Sequence, residues 1–242
     1  PSRMDSRSEP DTDRRTIGRM GRTERRVSRL KRSRRAALAE QLELYFICGT
    51  TNTKDIFRTV ETALQCGVTC FQFREKGNEA LYGDQKEAVA RKLLRLCRAY
   101  GVPFIVNDDV ELAMKLDADG VHVGQEDASA RRVRQMIGAD KWLGVSVHSL
   151  EEATTAMVHA DYVGIGPIFP TDSKADAGEV NGTTLIRQVR AAYRELPIVG
   201  IGGIRPEHVE LIRRDGADGV AIISAIASAP DVAAATRRFK CL

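Results

Sequence analysis

The sequence lacks a long apolar run. No stretch approaches the ~20 residues that cross a bilayer as a helix. No apolar segment near the N-terminus precedes a small-residue cleavage site, so neither a membrane span nor a secretory leader is expected. Cys-x-x-Cys pairs are also missing. The five cysteines, Cys48, Cys66, Cys70, Cys97 and Cys241, are odd in number, which argues against a disulfide framework and a structural zinc site. A reduced, cytoplasmic setting is expected. No Gly-x-Gly-x-x-Gly follows the first strand-like run, which weakens an open dinucleotide-binding sheet. Nor is there a Ser-His-Asp or Cys-His set to supply a protein nucleophile.

Charge is unevenly spread. The net value is +4, yet residues 1–40 hold 13 Lys or Arg against 6 Asp or Glu, and the rest of the chain holds 24 against 27. The basicity therefore belongs to the N-terminal segment. A basic tail can bind nucleic acid or anionic lipid. A solvated extension is the plainer reading, and neither a nucleic-acid nor a membrane partner is expected. Residues 1–22, rich in Ser, Arg, Asp and Gly, are expected to be a disordered basic tail. Residues 23–242 are expected to form one folded domain, in line with 43% hydrophobic and 29% charged residues. A homo-oligomer is compatible with the sequence, which does not specify one.

What the chain has in abundance is alternation. From Thr23, a candidate N-cap, Val27, Leu30, Leu38 and Leu42 fall near one helical face. Strand-like runs follow at 44–48, 69–74, 104–107, 120–123, 143–147, 162–166, 198–201 and 219–223. Helical patterns separate them. Ile56, Val60, Ala63 and Leu64 share one face, and Val89, Leu93, Leu96, Cys97 and Tyr100 share another. Shorter helices are read at 110–116, 129–137, 149–158, 183–193, 206–214 and 230–239. Eight βα units in series imply parallel strands with right-handed crossovers. The fold expected is α/β: a (β/α)8 TIM barrel with a helix ahead of its first strand. An echo supports it. Ala118-Asp119-Gly120-Val121, Ala160-Asp161-Tyr162-Val163 and Ala217-Asp218-Gly219-Val220 each lead from a helix into a strand.

Functional groups in such a barrel gather at the C-terminal ends of the strands. The second run ends Phe71-Gln72-Phe73-Arg74-Glu75-Lys76. Alternation puts Gln72, Arg74 and, where the extended backbone continues, Lys76 toward the barrel mouth and Phe71 and Phe73 toward the helices. Two cations there call for an anion. The alternative is an internal ion pair with Glu75 or with an aspartate elsewhere. Asp108 ends the third run and Asp127 follows the fourth, where paired carboxylates suit Mg²⁺. Helix capping competes for Asp127 and is the preferred role for Asp109 and Glu126. Ser146 and His148 share a face of the fifth run, and substrate contact and a structural role stay open for His148. His122 is read as structural, and His159 and His208 as surface residues on helices. The long segment 167–182 after the sixth run reads as a lid, with Thr171, Ser173 and Lys174 suited to phosphate. Gly202-Gly203 and Ile223-Ser224, after strands seven and eight, match the recurrent phosphate position of barrels. Two anion sites in one mouth suggest a transferase that releases diphosphate.

These segments together resemble the thiamin-phosphate synthase family. The resemblance rests on Gln72-Phe73-Arg74-Glu75-Lys76, Val106-Asn107-Asp108-Asp109, Gly124-Gln125-Glu126-Asp127, Gly144-Val145-Ser146, the run from Gly164 to Thr171, Gly200-Ile201-Gly202-Gly203-Ile204 and Ile223-Ser224, in the family's order. It implies condensation of hydroxymethylpyrimidine diphosphate with a carboxylated thiazole ethyl phosphate, giving thiamin phosphate, diphosphate and CO₂ with Mg²⁺. It implies that Gln72, Arg74, Lys76, Asn107 and Lys174 bind the pyrimidine diphosphate, with Ser146 at the pyrimidine end. Asp108 and Asp127 would hold the metal. Thr171, Ser173, Gly203, Ile223 and Ser224 would hold the thiazole phosphate, and Arg74, Lys76, Lys174 and Ser146 would act in catalysis. The loop departs from the family's frequent Thr-Lys, with Ser173-Lys174 keeping the hydroxyl, and the basic extension matches nothing in the family's core.

Three rivals stand beside it. A related thiazole tautomerase shares the barrel and a histidine where His148 stands, but needs no diphosphate or metal site. A phosphosugar isomerase or aldolase would not call for the paired aspartates. A non-catalytic, thiamin-responsive binding protein would use the tail on nucleic acid.

Overall fold

Eight short strands alternate with helices, and each strand pairs in parallel with its successor. They are β1 (Leu44–Cys48), β2 (Cys70–Phe73), β3 (Phe104–Asn107), β4 (Gly120–Val123), β5 (Trp142–Val147), β6 (Tyr162–Ile165), β7 (Ile198–Ile201) and β8 (Gly219–Ile222). β8 returns to β1, closing the barrel in sequence order. This is a computed structural model, and it describes residues 34–125, 129–171, 179–180 and 182–240. The expected tail, the first part of the expected leading helix and most of the expected lid lie outside that range.

Residues 34–41 form the helix ahead of the barrel, α1. The others are α2 (Ile56–Gln65), α3 (Gly83–Ala99), α4 (Val110–Leu116), α5 (Ala130–Ile137), α6 (Leu150–Ala156), α7 (Thr184–Ala192), α8 (Val209–Arg214), α9 (Ser224–Ala227) and α10 (Val232–Lys240). Side-chain caps set several starts: Asp55, Asp109, Ser129 and Ser149 accept the N–H of Arg58, Leu112, Arg132 and Glu152. The 3-10 turn Thr50–Asn52 and the four-residue α9 have no counterpart in the sequence reading, while the helix expected at 206–214 opens as a 3-10 turn, Pro206–His208, and continues as α8. The first two are too short to carry a hydrophobic period.

Side chains along each strand sort into two cores, as the two-residue period of a strand requires. Leu44, Phe46, Phe71, Phe73, Val121 and Val163 pack outward against the helices. Tyr45, Ile47, Cys70, Ile105, Tyr162 and Val199 fill the lumen, and Leu38 of α1 and Leu42 just after it close its lower end. Arg34 anchors α1 by donating to the carbonyls of Ala139 and Asp140.

The Ala-Asp echo has a structural cause. The carboxylates of Asp119, Asp161 and Asp218 each accept an N–H at the start of the preceding strand, from Phe104, Leu143 and Ile198, at 2.8, 2.9 and 2.8 Å. Each aspartate also donates its own N–H to the carbonyl of that same residue. Arg134 of α5 and Arg190 of α7 complete the second and third clamps at 2.5 and 2.7 Å. Among the described residues no helix is long and apolar enough to cross a membrane.

Candidate active site

β2 carries the cationic segment to the mouth. Phe71 and Phe73 lie in the outer core, and Gln72 lies between them, 1% exposed in the lumen. Beyond the strand, Lys76 Nζ sits on the Asp108 carboxylate. The ion pair weighed against an anion site is therefore present, with Asp108 rather than Glu75 as partner. Glu75 is buried instead among the loops. Its carboxylate accepts the Thr50 N–H at 2.8 Å, the Thr50 hydroxyl, and the Leu81 N–H at 2.9 Å. It thus ties the loop after β1 to both ends of the loop between β2 and α3.

Asp108 stands one strand over, at the end of β3. Its φ is +60°, unusual for a residue other than glycine. Its N–H donates to the His122 carbonyl at 2.8 Å, and Asn107 Nδ2 donates to its Oδ2 at 2.6 Å. A hard carboxylate held at the mouth, already carrying an ammonium, has the donor chemistry a divalent cation needs. Asp109 behaves as expected of a cap and also pairs with Lys86 at 2.6 Å. Burial acts to raise its carboxyl, but Lys86 and the Leu112 N–H outweigh it and hold the group below the ordinary aspartate range. Asp127 and Glu126 lie outside the described residues. Among the described residues no three His, Cys, Asp or Glu side chains cluster as a metal site.

A polar chain crosses the lumen beneath the mouth. Gln72 Nε2 donates to the Tyr45 hydroxyl at 2.7 Å, which lies 2.8 Å from the Tyr162 hydroxyl. Tyr162 lies 3.1 Å from His122 Nδ1, and His122 Nε2 lies 2.9 Å from Ser146 Oγ. Burial pushes both phenols well above their ordinary value, so they stay neutral. Gly144 makes the room: a Cβ there would collide with the Tyr162 ring and His122. Gln72 Oε1 is buried without a partner. Leaving such an oxygen unpaired costs roughly 1–3 kcal/mol. Tyr45 and Tyr162 were not among the candidate residues, and His122 was read only as structural. The period that selected Gln72 also places Tyr45 inward, and inward glycines such as Gly144 are the further signal.

The loops after β6, β7 and β8 meet on the same face. Phe169 donates its N–H to the Gly202 carbonyl at 3.0 Å. Gly203 has φ +62°, and a Cβ there would strike the Pro170 carbonyl. His208 differs from its expected surface role. It is partly buried, stacks on Phe169 with centroids 4.0 Å apart, and accepts the Arg205 N–H at Nδ1. Ile223 is buried and forms the N-cap of α9 rather than the last strand residue, so the exposed Ser224 opens that helix. Thr171 ends the described part of the β6 loop, and Ser173 and Lys174 lie outside it. His148 Nδ1 lies 2.8 Å from the Gly166 carbonyl, which holds the ring against β6.

Comparison with known proteins finds a matching family and relatives of the same fold. The family model described as thiamine monophosphate synthase matches residues 44–226. A thiamine-phosphate synthase of Geobacillus thermodenitrificans is 57% identical over 200 residues, covering 82% of this chain and 90% of that protein. One from Geobacillus kaustophilus is 58% identical over the same length and coverage. The solved thiamine phosphate pyrophosphorylase of Pyrococcus furiosus superposes with a TM-score of 0.75 at 35% identity, covering 84% of this chain and 96% of that one.

Proposed function

The chain belongs to the thiamine monophosphate synthase family, and we propose that its barrel mouth joins hydroxymethylpyrimidine diphosphate to a carboxylated thiazole ethyl phosphate, releasing diphosphate and CO₂. The observation that carries this reading is the meeting of Lys76, Asn107 and Asp108 across β2 and β3. In this reading Gln72, Arg74, Lys76, Asn107 and Lys174 bind the pyrimidine diphosphate, and Ser146 meets the ring. Asp108 and Asp127 hold Mg²⁺, which when bound neutralises diphosphate oxygens as a Lewis acid. Thr171, Ser173, Gly203, Ile223 and Ser224 take the thiazole phosphate.

The chemistry is a substitution at the pyrimidine methylene. The C–O bond breaks, and the diphosphate leaves with the electron pair. Arg74, Lys76 and Lys174 stabilise the charge that builds on it. Lys76 exchanges its carboxylate partner for the diphosphate, so it is never an unpaired cation. The methylene cation is stabilised by its own ring amino group. The thiazole nitrogen, positioned through its phosphate, donates its lone pair and forms the C–N bond. Loss of CO₂ from the thiazole returns its bonding electrons to the ring. No side chain acts as a nucleophile. Free thiols at Cys48, Cys66, Cys70 and Cys97 support a reducing, cytoplasmic setting.

Incubation with both substrates and Mg²⁺ tests the reading. Thiamin phosphate should form only when all three are present, and its absence would overturn the assignment.

A further inference from the structure

Among the described residues, Gln72 Oε1 is the buried side-chain atom left without a hydrogen bond. It terminates a chain of five side chains drawn from five strands: Gln72, Tyr45, Tyr162, His122 and Ser146. A phenol has one proton to give. Because Tyr45 accepts from Gln72 Nε2, its proton goes on to Tyr162. Cys70, the other polar neighbour of Tyr45, is a weak acceptor, and burial keeps its thiol protonated. Tyr162 then gives its proton to His122 Nδ1. His122 is left as the Nε2–H tautomer and donates to Ser146 Oγ, whose own proton remains for a ligand.

We propose that Tyr45, Tyr162 and His122 are positioning residues that polarise this chain in one direction, so the site offers an acceptor at Gln72 Oε1 and a donor at Ser146 Oγ. An aminopyrimidine presents the complement, an exocyclic N–H and ring nitrogens with lone pairs. An oxo-pyrimidine inverts that edge, with a carbonyl and a ring N–H. The inference rests on the reading above for the identity of the ring. It adds that selection of the amino form is set by side chains behind those that meet the ring.

Two measurements on the full-length chain test it. Nitrogen-15 NMR of labelled histidine, with the His122 signal identified by its loss in His122→Gln, should report the Nε2–H tautomer. Calorimetry should show the aminopyrimidine alcohol binding about 100-fold or more tightly than its oxo counterpart. Tyr45→Phe lets the Gln72 amide turn over, and the preference should narrow about ten-fold or more. Tyr162→Phe should narrow it too and move His122 toward Nδ1–H. An Nδ1–H tautomer in the unaltered protein, or an unchanged preference in both folded variants, would overturn the proposal. Should a variant not fold, the tautomer of the unaltered protein decides. If the unaltered protein binds neither ring and makes no thiamin phosphate, the functional reading fails instead, and the tautomer still reports the polarity.

Discussion

Asp108 joins an unusual backbone conformation to the metal-holding role proposed for it. Of the two non-glycine residues with positive φ among those described, Asp117 caps the end of α4, where a left-handed residue is ordinary. Asp108 closes a strand and has no such excuse. Outliers of that kind cluster at functional sites, which supports the role proposed for this residue. Asp108→Ala should lower Mg²⁺-dependent thiamin phosphate formation by about 100-fold or more. Asp108→Gly relieves the backbone and should be equally inactive, because the carboxylate is what is needed. Activity retained in either variant, assayed across a magnesium series, would remove the metal assignment. Lys76→Ala should cut kcat by a similar factor while the thiazole KM stays put. A raised thiazole KM with unchanged turnover would contradict the role given to Lys76.

At the scale of elements, Glu75 secures the loop that leaves β2, just past the last rung of its ladder, the Arg74 N–H on the Cys48 carbonyl. Glu75→Ala leaves two backbone N–H groups and a hydroxyl short of a partner. The expected cost is about 2–4 kcal/mol, or roughly 5–15 °C in Tm. The diphosphate KM should rise with it, which thermal unfolding and steady-state kinetics would read together. Much of this layer was legible in the sequence, because strands and longer helices advertise their period. The runs at 44–48, 104–107, 120–123 and 198–201 coincide with β1, β3, β4 and β7. The inward side chain of Gln72 could be read from alternation, whereas β2 ends at Phe73, so the pattern does not extend to Arg74 and Lys76. Contacts between strands could not be read. The Lys76–Asp108 pair depends on how β2 and β3 are staggered. The lumen chain depends on which buried face of each strand looks inward, and strands buried on both faces disguise that choice. α9 is shorter than any period that would reveal it.

The whole molecule divides by end. Glu43, just ahead of β1, pairs with Lys240 of α10 at 2.9 Å and Arg213 of α8 at 3.0 Å. The Lys240 hydrogen bond outweighs burial, and with help from Arg213 it holds the carboxyl below its ordinary 4.5. A depressed carboxyl stabilises fully above its unfolded value and loses that contribution as pH falls through the folded one. Glu43→Gln should therefore lower Tm near neutral pH by no more than about 2–4 °C. The difference should close as the pH falls below 4.5. Equal melting at every pH would remove this pair from the account.

The aspartate clamps share that lower rim with Glu43, while Gln72, Asp108 and Ser224 answer to the upper one. Apart from Glu75, which serves both, the positions that clamp the fold thus stand away from those assigned to substrate choice. A lineage moving into a hotter habitat can rework Asp161 or Arg190 and their neighbours without disturbing what the enzyme makes. Libraries built to raise its melting point have a natural boundary at mid-strand.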